Sequence, residues 1–277
     1  MTIDFRKARL ERYMSRVAFY LFDFPIYWYG IIIAFSVILA VMIGVWLCKR
    51  IGYKDEIPYE VMLAAVPLGF VFARLYFIIF SSGVGLADFF AFRDGGIAIY
   101  GGIIGGALGI LIYTKLIRKC GFFAITDLLV IGVILAQSIG RWGNFFNQEV
   151  YGFAVSINFF PLTVMISGTP HLALFFYESI LNLLGFVILL KVFSHSKKIG
   201  TTSAVYLIWY GIVRAVLEPF REAAFQLMIG PFPVSLVVSF FAIAIGVLIL
   251  YLGKVGFISQ KNVTLLAKSS SPKKKET

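Results

Sequence analysis

The chain has 277 residues, of which 60% are hydrophobic, 17% aromatic and only 14% charged. A soluble domain carries roughly 25% charged residues, so a globule covered in water is excluded and lipid is the implied solvent. The formal net charge of +11 is dispersed along the ends of apolar segments rather than gathered into a patch, which argues against nucleic acid as a partner.

In chain order, a basic N-terminal tail (1–20) carries Arg6, Lys7, Arg9, Arg12 and Arg16. It precedes a transmembrane domain spanning 21–255. A membrane-crossing helix needs about 20 mostly apolar residues, and such stretches lie near 26–48, 60–80, 97–117, 122–139, 173–193, 202–219 and 232–253. The expected fold is therefore all-α and polytopic, with about seven transmembrane helices. Loops near 81–96 and 145–172 are long enough to fold. Residues 256–277, ending in a serine and lysine run, form a basic tail with the composition of a disordered segment.

Basic residues mark the cytoplasmic ends of spans. Lys49, Arg50 and Lys54 follow the first stretch, Lys115, Arg118 and Lys119 the third, and Lys191, Lys197 and Lys198 the fifth. Lys254, Lys261, Lys268 and Lys273 to Lys275 follow the seventh. The exits of the odd-numbered stretches are thus expected in the cytoplasm together with the C-terminus, and the N-terminus outside. The N-terminal basic residues favour the opposite sense and are outweighed by these four groups; the tail is expected to lie on anionic headgroups. Cys48 and Cys120 sit at expected cytoplasmic ends, where thiols stay reduced, so no disulfide is implied. Trp46 and Leu47 are too bulky for a signal-peptide cleavage site before Cys48, which is read as a core cysteine.

The third stretch begins in a glycine-rich run from Gly95 to Gly106. Gly101 and Gly105, like Gly102 and Gly106, are four apart and form a smooth strip. Such a strip lets helices approach closely and equally suits a ligand-lining face. No internal repeat of a transporter kind is visible.

Ionisable groups inside spans are costly and are functional candidates by default. They are Arg74, Asp127, Arg141, Glu178, Arg214, Glu218 and Arg221. In the sixth stretch Tyr210, Arg214, Glu218 and Arg221 fall at offsets of 0, 4, 8 and 11, one helical face. Arg214 and Glu218 can form an i, i+4 pair, a purely structural bridge on one reading. Arg221 leaves that face with surplus positive charge, and the forked donors of a guanidinium suit a phosphate. The fourth stretch ends in GRWGNFFNQEVYG, Gly140 to Gly152, which places Arg141, Asn144, Asn147 and Glu149 at the expected outer interface. A guanidinium, two amides and a carboxylate make a poor lipid-facing surface and a good lining for a phospholipid headgroup.

This segment closely resembles the signature of the prolipoprotein diacylglyceryl transferase family, Gly-Arg-x-Gly-Asn-Phe-x-Asn-x-Glu, at every fixed position. Trp28-Tyr29-Gly30, Arg74, DGGIAIYGG from Asp94, Tyr177-Glu178 and YGIVRAVLEPFRE from Tyr210 match other family segments in order, so that the resemblance covers about residues 20–255. It implies a bacterial enzyme of the cytoplasmic membrane with its active site toward the outer face. The reaction moves the sn-1,2-diacylglyceryl group of phosphatidylglycerol to the lipobox cysteine thiol of a prolipoprotein signal peptide. A thioether forms and glycerol phosphate leaves, with no metal or cofactor. By resemblance Arg141 and Arg214 are the essential catalytic pair. Tyr29 joins them, and Asn144, Asn147, Glu149, Gly152, Tyr210, Glu218, Arg221 and Arg74 line or support the substrate site.

The chain departs from the family where many members have histidine: Tyr100 stands before Gly-Gly in the third stretch and Tyr27 before Trp-Tyr-Gly in the first. Leu172-Ala173 replaces the usual His-Pro before Tyr-Glu. His171 and His195 fall in loops and are expected to be incidental. With no histidine base at the expected place, and a tyrosine reference pKa of about 10, Tyr100 is expected to act with Arg141 or Arg214, as the base for the thiol or as a hydrogen-bond donor to substrate.

Other classes fit less well. A channel or transporter leaves the headgroup-like mix at the outer interface unexplained. Enzymes using CDP-activated alcohols need a run of spaced aspartates, and only Asp127 lies in a span. An intramembrane serine protease is loosely suggested by Ala136-x-Ser138-x-Gly140, but no span carries a histidine, so Ser138 is read as a packing residue. A catalytically inactive relative is kept open by Tyr100.

Overall fold

The computed structural model describes residues 16–81, 83–90, 96, 98–196, 198–254 and 266. The basic residues from Arg6 to Arg12, Arg93 and Asp94 of the first long loop, Lys197, and the tail beyond Lys254 other than Leu266 lie outside the described residues.

Among the described residues seven α-helices follow one another: α1 Trp28–Ile51, α2 Ile57–Phe80, α3 Ile99–Ile112, α4 Phe122–Asn147, α5 Leu174–His195, α6 Thr201–Leu217 and α7 Val234–Lys254. The last turn of α3 passes into a π-helical turn, Tyr113–Ile117. Six of the seven are long and apolar enough to cross a membrane, α3 with its π turn among them. The exception is α6, which has 17 residues and carries Arg214 near its end. Without water, a spanning backbone must satisfy its own N–H and C=O groups, which is why the apolar runs are helical. Large apolar side chains such as Phe35, Ile38, Met42, Leu63, Ile103 and Phe240 stay exposed on the helix flanks, as lipid contact requires.

The described residues also form three two-stranded antiparallel hairpins, absent from the all-α expectation: β1 Val17–Leu21 with β2 Phe24–Tyr27 ahead of α1, β3 Thr163–Ile166 with β4 Thr169–Leu172 between α4 and α5, and β5 Met228–Ile229 with β6 Phe232–Pro233 between α6 and α7. They are too short for hydrophobic periodicity to reveal. Helix α4 also continues eight residues beyond the expected boundary at 139, to Asn147, so Asn147, expected in the loop near 145–172, is helical together with Arg141 and Asn144.

The chain divides into two compact units, residues 1–40 with 130–257, and residues 41–129 with 258–277. In the second unit α2 and α3 pack along the glycine strip. A Cβ on Gly109 would come within 2.6 Å of the Ala64 carbonyl oxygen, and one on Gly101 or Gly105 would run into the α2 backbone at Phe72 or Leu68. Gly106 has open space where a Cβ would be, so the strip that packs is Gly101, Gly105 and Gly109. Cys48 and Cys120 are both buried thiols.

In the first unit, close approaches recur at single glycines. A Cβ on Gly132 would stand 2.7 Å from the Ala40 carbonyl oxygen of α1, and at the same distance one on Gly211 would meet that of Ser239 and one on Gly246 that of Ala204. Ser138 donates to the Ser179 carbonyl at 2.8 Å, a packing bond between α4 and α5. These contacts bring the C-terminal ends of α4 and α6 and the N-terminal ends of α1 and α5 to one end of the unit.

Candidate active site

At that end, five charged side chains from four segments converge. Arg141 comes from the last turns of α4, Glu178 from the first turns of α5 and Arg214 from the last turn of α6. Helix α6 stops at Leu217; Glu218 begins a 3-10 turn, Glu218–Phe220, and Arg221 follows in extended backbone. The expected helical face therefore holds for Tyr210, Arg214 and Glu218. Arg221 reaches the group because the chain turns there.

Glu178, 2% exposed, is the hub. Its Oε1 accepts from Arg214 Nη1 at 2.7 Å and lies 3.6 Å from Arg221 Nη2, while its Oε2 pairs with Arg141 Nε. Glu218, equally buried, accepts from Arg214 Nη2 at 2.9 Å and lies 3.5 Å from Arg221 Nε. Three guanidinium groups thus share two carboxylates, leaving a formal charge of +1 in a desolvated setting. An uncompensated buried charge is strongly unfavourable, so the group is complementary to a monoanion. Arg141 keeps a side-chain exposure of 20%, against 9% for Arg214 and 11% for Arg221, and is the most open route to it.

The surrounding residues hold this constellation in place. A Cβ on Gly143 would come within 2.6 Å of the Tyr29 ring, so glycine there lets Tyr29 lie against α4. Tyr29 is then within electrostatic reach of Arg141 and Glu149. Trp28 stacks on Phe146 with ring centroids 5.1 Å apart. Asn144 is buried and its carbonyl accepts from the Glu149 amide at 3.1 Å. Asn147 Nδ2 donates to Glu149 Oε1 at 3.1 Å. Past the helix end, Gln148 and Val150 adopt φ of 53° and 57°. A β-branched residue in the left-handed region is a strained choice, and here it turns the chain back toward Gly152.

Gly152 forms an antiparallel bridge with Arg221. Its amide donates to the Leu172 carbonyl at 2.8 Å, and the Phe153 amide donates to the Phe220 carbonyl at 3.1 Å. A Cβ on Gly152 would sit 2.6 Å from that Phe220 oxygen. Its absence lets the chain carrying Arg221 approach. His171 belongs to the same clamp: in β4, its Nδ1 lies 2.9 Å from the Gly152 carbonyl oxygen, and its ring packs edge-on to Tyr151. His195 closes onto the Lys191 carbonyl at the far end of α5.

Two expected site residues fall in the second unit. Arg74, 2% exposed, donates from Nε to the Phe89 carbonyl at 3.2 Å, from Nη1 to that of Gly96 at 2.9 Å and from Nη2 to that of Asp88. Tyr100 lies at the start of α3 with its ring centroid 6.4 Å from that of Tyr76. Glu178 is a functional candidate in the sequence without an assigned place in the substrate site. Its signal was a carboxylate inside an apolar span; its three partners, all distant in sequence, gave no local hint.

The sequence profile described as prolipoprotein diacylglyceryl transferase matches residues 16–252. The chain belongs to the prolipoprotein diacylglyceryl transferase family. It is 37% identical over 245 residues to the phosphatidylglycerol–prolipoprotein diacylglyceryl transferase of Clostridioides difficile strain 630, covering 87% of this chain and 96% of that one. The enzyme of the same name from Enterococcus faecalis strain V583 is 38% identical over 222 residues, 75% of this chain and 80% of its own. That of Bacillus cereus strain G9842 is 35% identical over 251 residues, 85% and 90% respectively. With its apolar helices, this family member is a multi-pass membrane protein.

Proposed function

We propose that the surplus guanidinium charge around Glu178 and Glu218 is the phosphate site of this transferase. The chain is a diacylglyceryl transferase: it moves the diacylglyceryl group of phosphatidylglycerol to prolipoprotein in lipoprotein maturation. The observation that carries the site reading is the formal +1 of three arginines sharing two buried carboxylates, which matches the single negative charge of a phosphodiester.

In the reaction, a cysteine thiolate attacks the sn-3 carbon of the diacylglyceryl group. The S–C bond forms, the C–O bond to phosphate breaks, and the electron pair leaves with glycerol phosphate. Charge grows on the phosphate oxygens as that bond breaks, and preorganised guanidinium donors in a water-poor site stabilise it. Arg141, the most open of the three, and Arg214, fixed by both carboxylates, are the catalytic pair. Arg221 completes the site, and Glu178 and Glu218 hold the guanidinium groups in position. Tyr29, Tyr210, Asn144, Asn147 and Glu149 line the approach of headgroup and precursor, and Gly152 sets the position of Arg221. Arg74 acts by holding the loop that contains Asp88, Phe89 and Gly96. Tyr100 takes the thiol proton or donates to substrate.

The acceptor is the lipobox cysteine of a signal peptide entering from the bilayer. Seven crossings, an outer N-terminus, a cytoplasmic C-terminus and a site at the outer face of the bacterial cytoplasmic membrane follow from the basic residues at the ends of α1, α5 and α7 and after α3.

The test is transfer in proteoliposomes of phosphatidylglycerol with a lipobox peptide, followed by mass spectrometry. A diacylglyceryl mass gain on cysteine, lost in Arg141→Ala, is the expected result. Full transfer by Arg141→Ala would remove the phosphate assignment, and unchanged turnover in Tyr100→Phe would remove the role of Tyr100.

A further inference from the structure

Beneath the charged group, the same three helices carry a second, uncharged polar layer. Gln137 lies four residues before Arg141 on α4, Asn182 four after Glu178 on α5, and Tyr210 and Tyr206 four and eight before Arg214 on α6. Because α4 and α6 arrive at the site by their C-terminal ends and α5 leaves by its N-terminal end, these offsets all run in one direction, inward. The contacts confirm the layering. Arg141, Glu178 and Arg214 meet above. Below, Gly185 of α5 faces Ile134 of α4 and Trp209 of α6, and Trp209 Nε1 donates to the Leu181 carbonyl at 3.1 Å.

Within this layer Gln137 Nε2 donates to the Tyr206 hydroxyl at 2.9 Å, and the Tyr206 and Tyr210 rings stack with centroids 6.0 Å apart. Gln137 Oε1 is buried with no hydrogen-bond partner among the described residues, and so is Oδ1 of Asn182, a residue only 1% exposed. An unmet polar group in such a place is unfavourable, because it has left water without gaining a partner. Turning the Gln137 carboxamide by half a rotation resolves its share. Tyr206 then donates its proton to Oε1, and the NH2 group takes the former place of Oε1. That arrangement satisfies every atom of the pair provided that an acceptor faces the NH2.

One helical turn is 5.4 Å, and the interfacial zone between phosphate and hydrocarbon is about 5–7 Å deep on each side of a bilayer. A phospholipid whose phosphate sits on the arginines therefore carries its ester carbonyls at the depth of Gln137. At that depth a lipid offers ester oxygens as acceptors. Gln137, Tyr206 and Tyr210 are each partly exposed, as Arg141 is.

We propose that Gln137 and Tyr206 form a subsite for an ester carbonyl of the diacylglyceryl group, with Asn182 completing the polar layer behind it, and that this subsite sets the depth at which the sn-3 carbon is presented. The inference rests on the phosphate reading of the arginines and extends it to the part of the lipid that is transferred.

The experiment compares diacyl phosphatidylglycerol with its dialkyl ether analogue, which keeps the phosphate, headgroup and reacting carbon but lacks both carbonyls. Wild type, Gln137→Leu, Tyr206→Phe and Arg141→Ala proteins are each assayed with both lipids in the same vesicles. Loss of one buried hydrogen bond corresponds to about a five- to tenfold effect. Wild type is expected to prefer the ester lipid by about that factor in kcat/KM, chiefly through KM. In Gln137→Leu the preference should fall to about twofold or less, because ester turnover drops while ether turnover holds. Tyr206→Phe should lower the ratio in the same sense. Because the readout is a ratio on one preparation, a partly unfolded variant lowers both rates and leaves it unchanged. A wild type that does not distinguish the lipids, or a Gln137→Leu protein that keeps the full preference, overturns the subsite while the phosphate reading stands on the loss of transfer in Arg141→Ala. If Arg141→Ala transfers normally, the phosphate reading falls and the subsite falls with it.

Discussion

Buried arginines occur in both units of this protein, and their surroundings differ in one respect, the charge count. In the second unit Arg118 donates from Nε and Nη2 to the two oxygens of Glu60 at 2.8 and 2.6 Å, with Glu56 a further partner at 3.6 Å. Tyr113, fully buried in the π-helical turn, donates to the same Glu60 at 2.7 Å. Arg74 gives its donors to three backbone carbonyls of the following loop. There, the two carboxylates of Glu56 and Glu60 serve the one guanidinium of Arg118, and that cluster has no positive surplus. In the first unit three guanidinium groups serve two carboxylates. Burial alone marks a costly residue; a surplus of one sign after all partners are counted marks a site that awaits a ligand of the other sign.

The strongest way to break this contrast is to remove the surplus. Arg214→Ala brings the group to formal neutrality and takes away the guanidinium held by both carboxylates. Transfer from phosphatidylglycerol is expected to fall by about 10²–10³-fold, the usual cost of one preorganised donor at a developing oxyanion, read by mass spectrometry of the peptide. Retained transfer would mean that the surplus is not the catalytic feature. Glu178→Gln acts in the opposite sense, raising the formal charge to +2 and leaving three arginines with one carboxylate. Breaking a buried pair from one side costs about 3–5 kcal/mol, so a large fall in Tm in detergent is expected, with kcat reduced about tenfold or more. Combining Glu178→Gln with Arg214→Gln returns the formal charge to the +1 of wild type, without Arg214. Part of the lost Tm should return while transfer stays low, which separates the structural share of the network from the catalytic one.

Much of this site was legible in the sequence wherever its parts are local. The segment from Gly140 to Gly152 places Arg141, Asn144, Asn147 and Glu149 within two and a half turns, and the i, i+4 spacing of Arg214 and Glu218 is the pair observed at 2.9 Å. What stayed hidden is what depends on partners far along the chain. Glu178 is 37 residues from Arg141 and 36 from Arg214, and nothing in its own helix says that it bridges them. Arg221 fits a helical face arithmetically, yet it arrives by a 3-10 turn and an extended residue. The six helices long and apolar enough to span a membrane were visible as hydrophobic runs, and the three short hairpins were not, because two to five residues are too few to show a period.

Gly152 sharpens the contrast without touching any charge. The bridge between Gly152 and Arg221 means that Gly152→Ala must push the Phe220–Arg221 backbone away, since the new methyl group would stand 2.6 Å from the Phe220 carbonyl oxygen. Arg221 then loses its alignment with Glu178 and Glu218, while every charge remains. About a tenfold fall in kcat/KM is expected, with a cost in stability of about 1–3 kcal/mol for a forced fit. Full activity in Gly152→Ala would show that the position of Arg221 tolerates displacement.

The smallest effect is expected in the second unit, at Glu60→Gln. Glutamine keeps an oxygen able to accept from the Tyr113 hydroxyl, so the change removes charge and little else. The Glu60 side chain is 36% exposed and Arg118 16%, which leaves the pair substantially screened, and exposed pairs of this kind contribute about 0–1 kcal/mol. Arg118 also retains Glu56 as a second, looser partner. Transfer is expected to stay within about twofold of wild type, with a Tm lowered by a few degrees at most. This near-null result is informative because Glu60→Gln and Glu178→Gln are the same substitution beside an arginine in a membrane-embedded helix. If both abolish transfer alike, carboxylate–guanidinium pairs matter here wherever they occur, and the count of charges does not distinguish the active site. If only Glu178→Gln does so, the distinction lies in the surplus that Glu178 moderates.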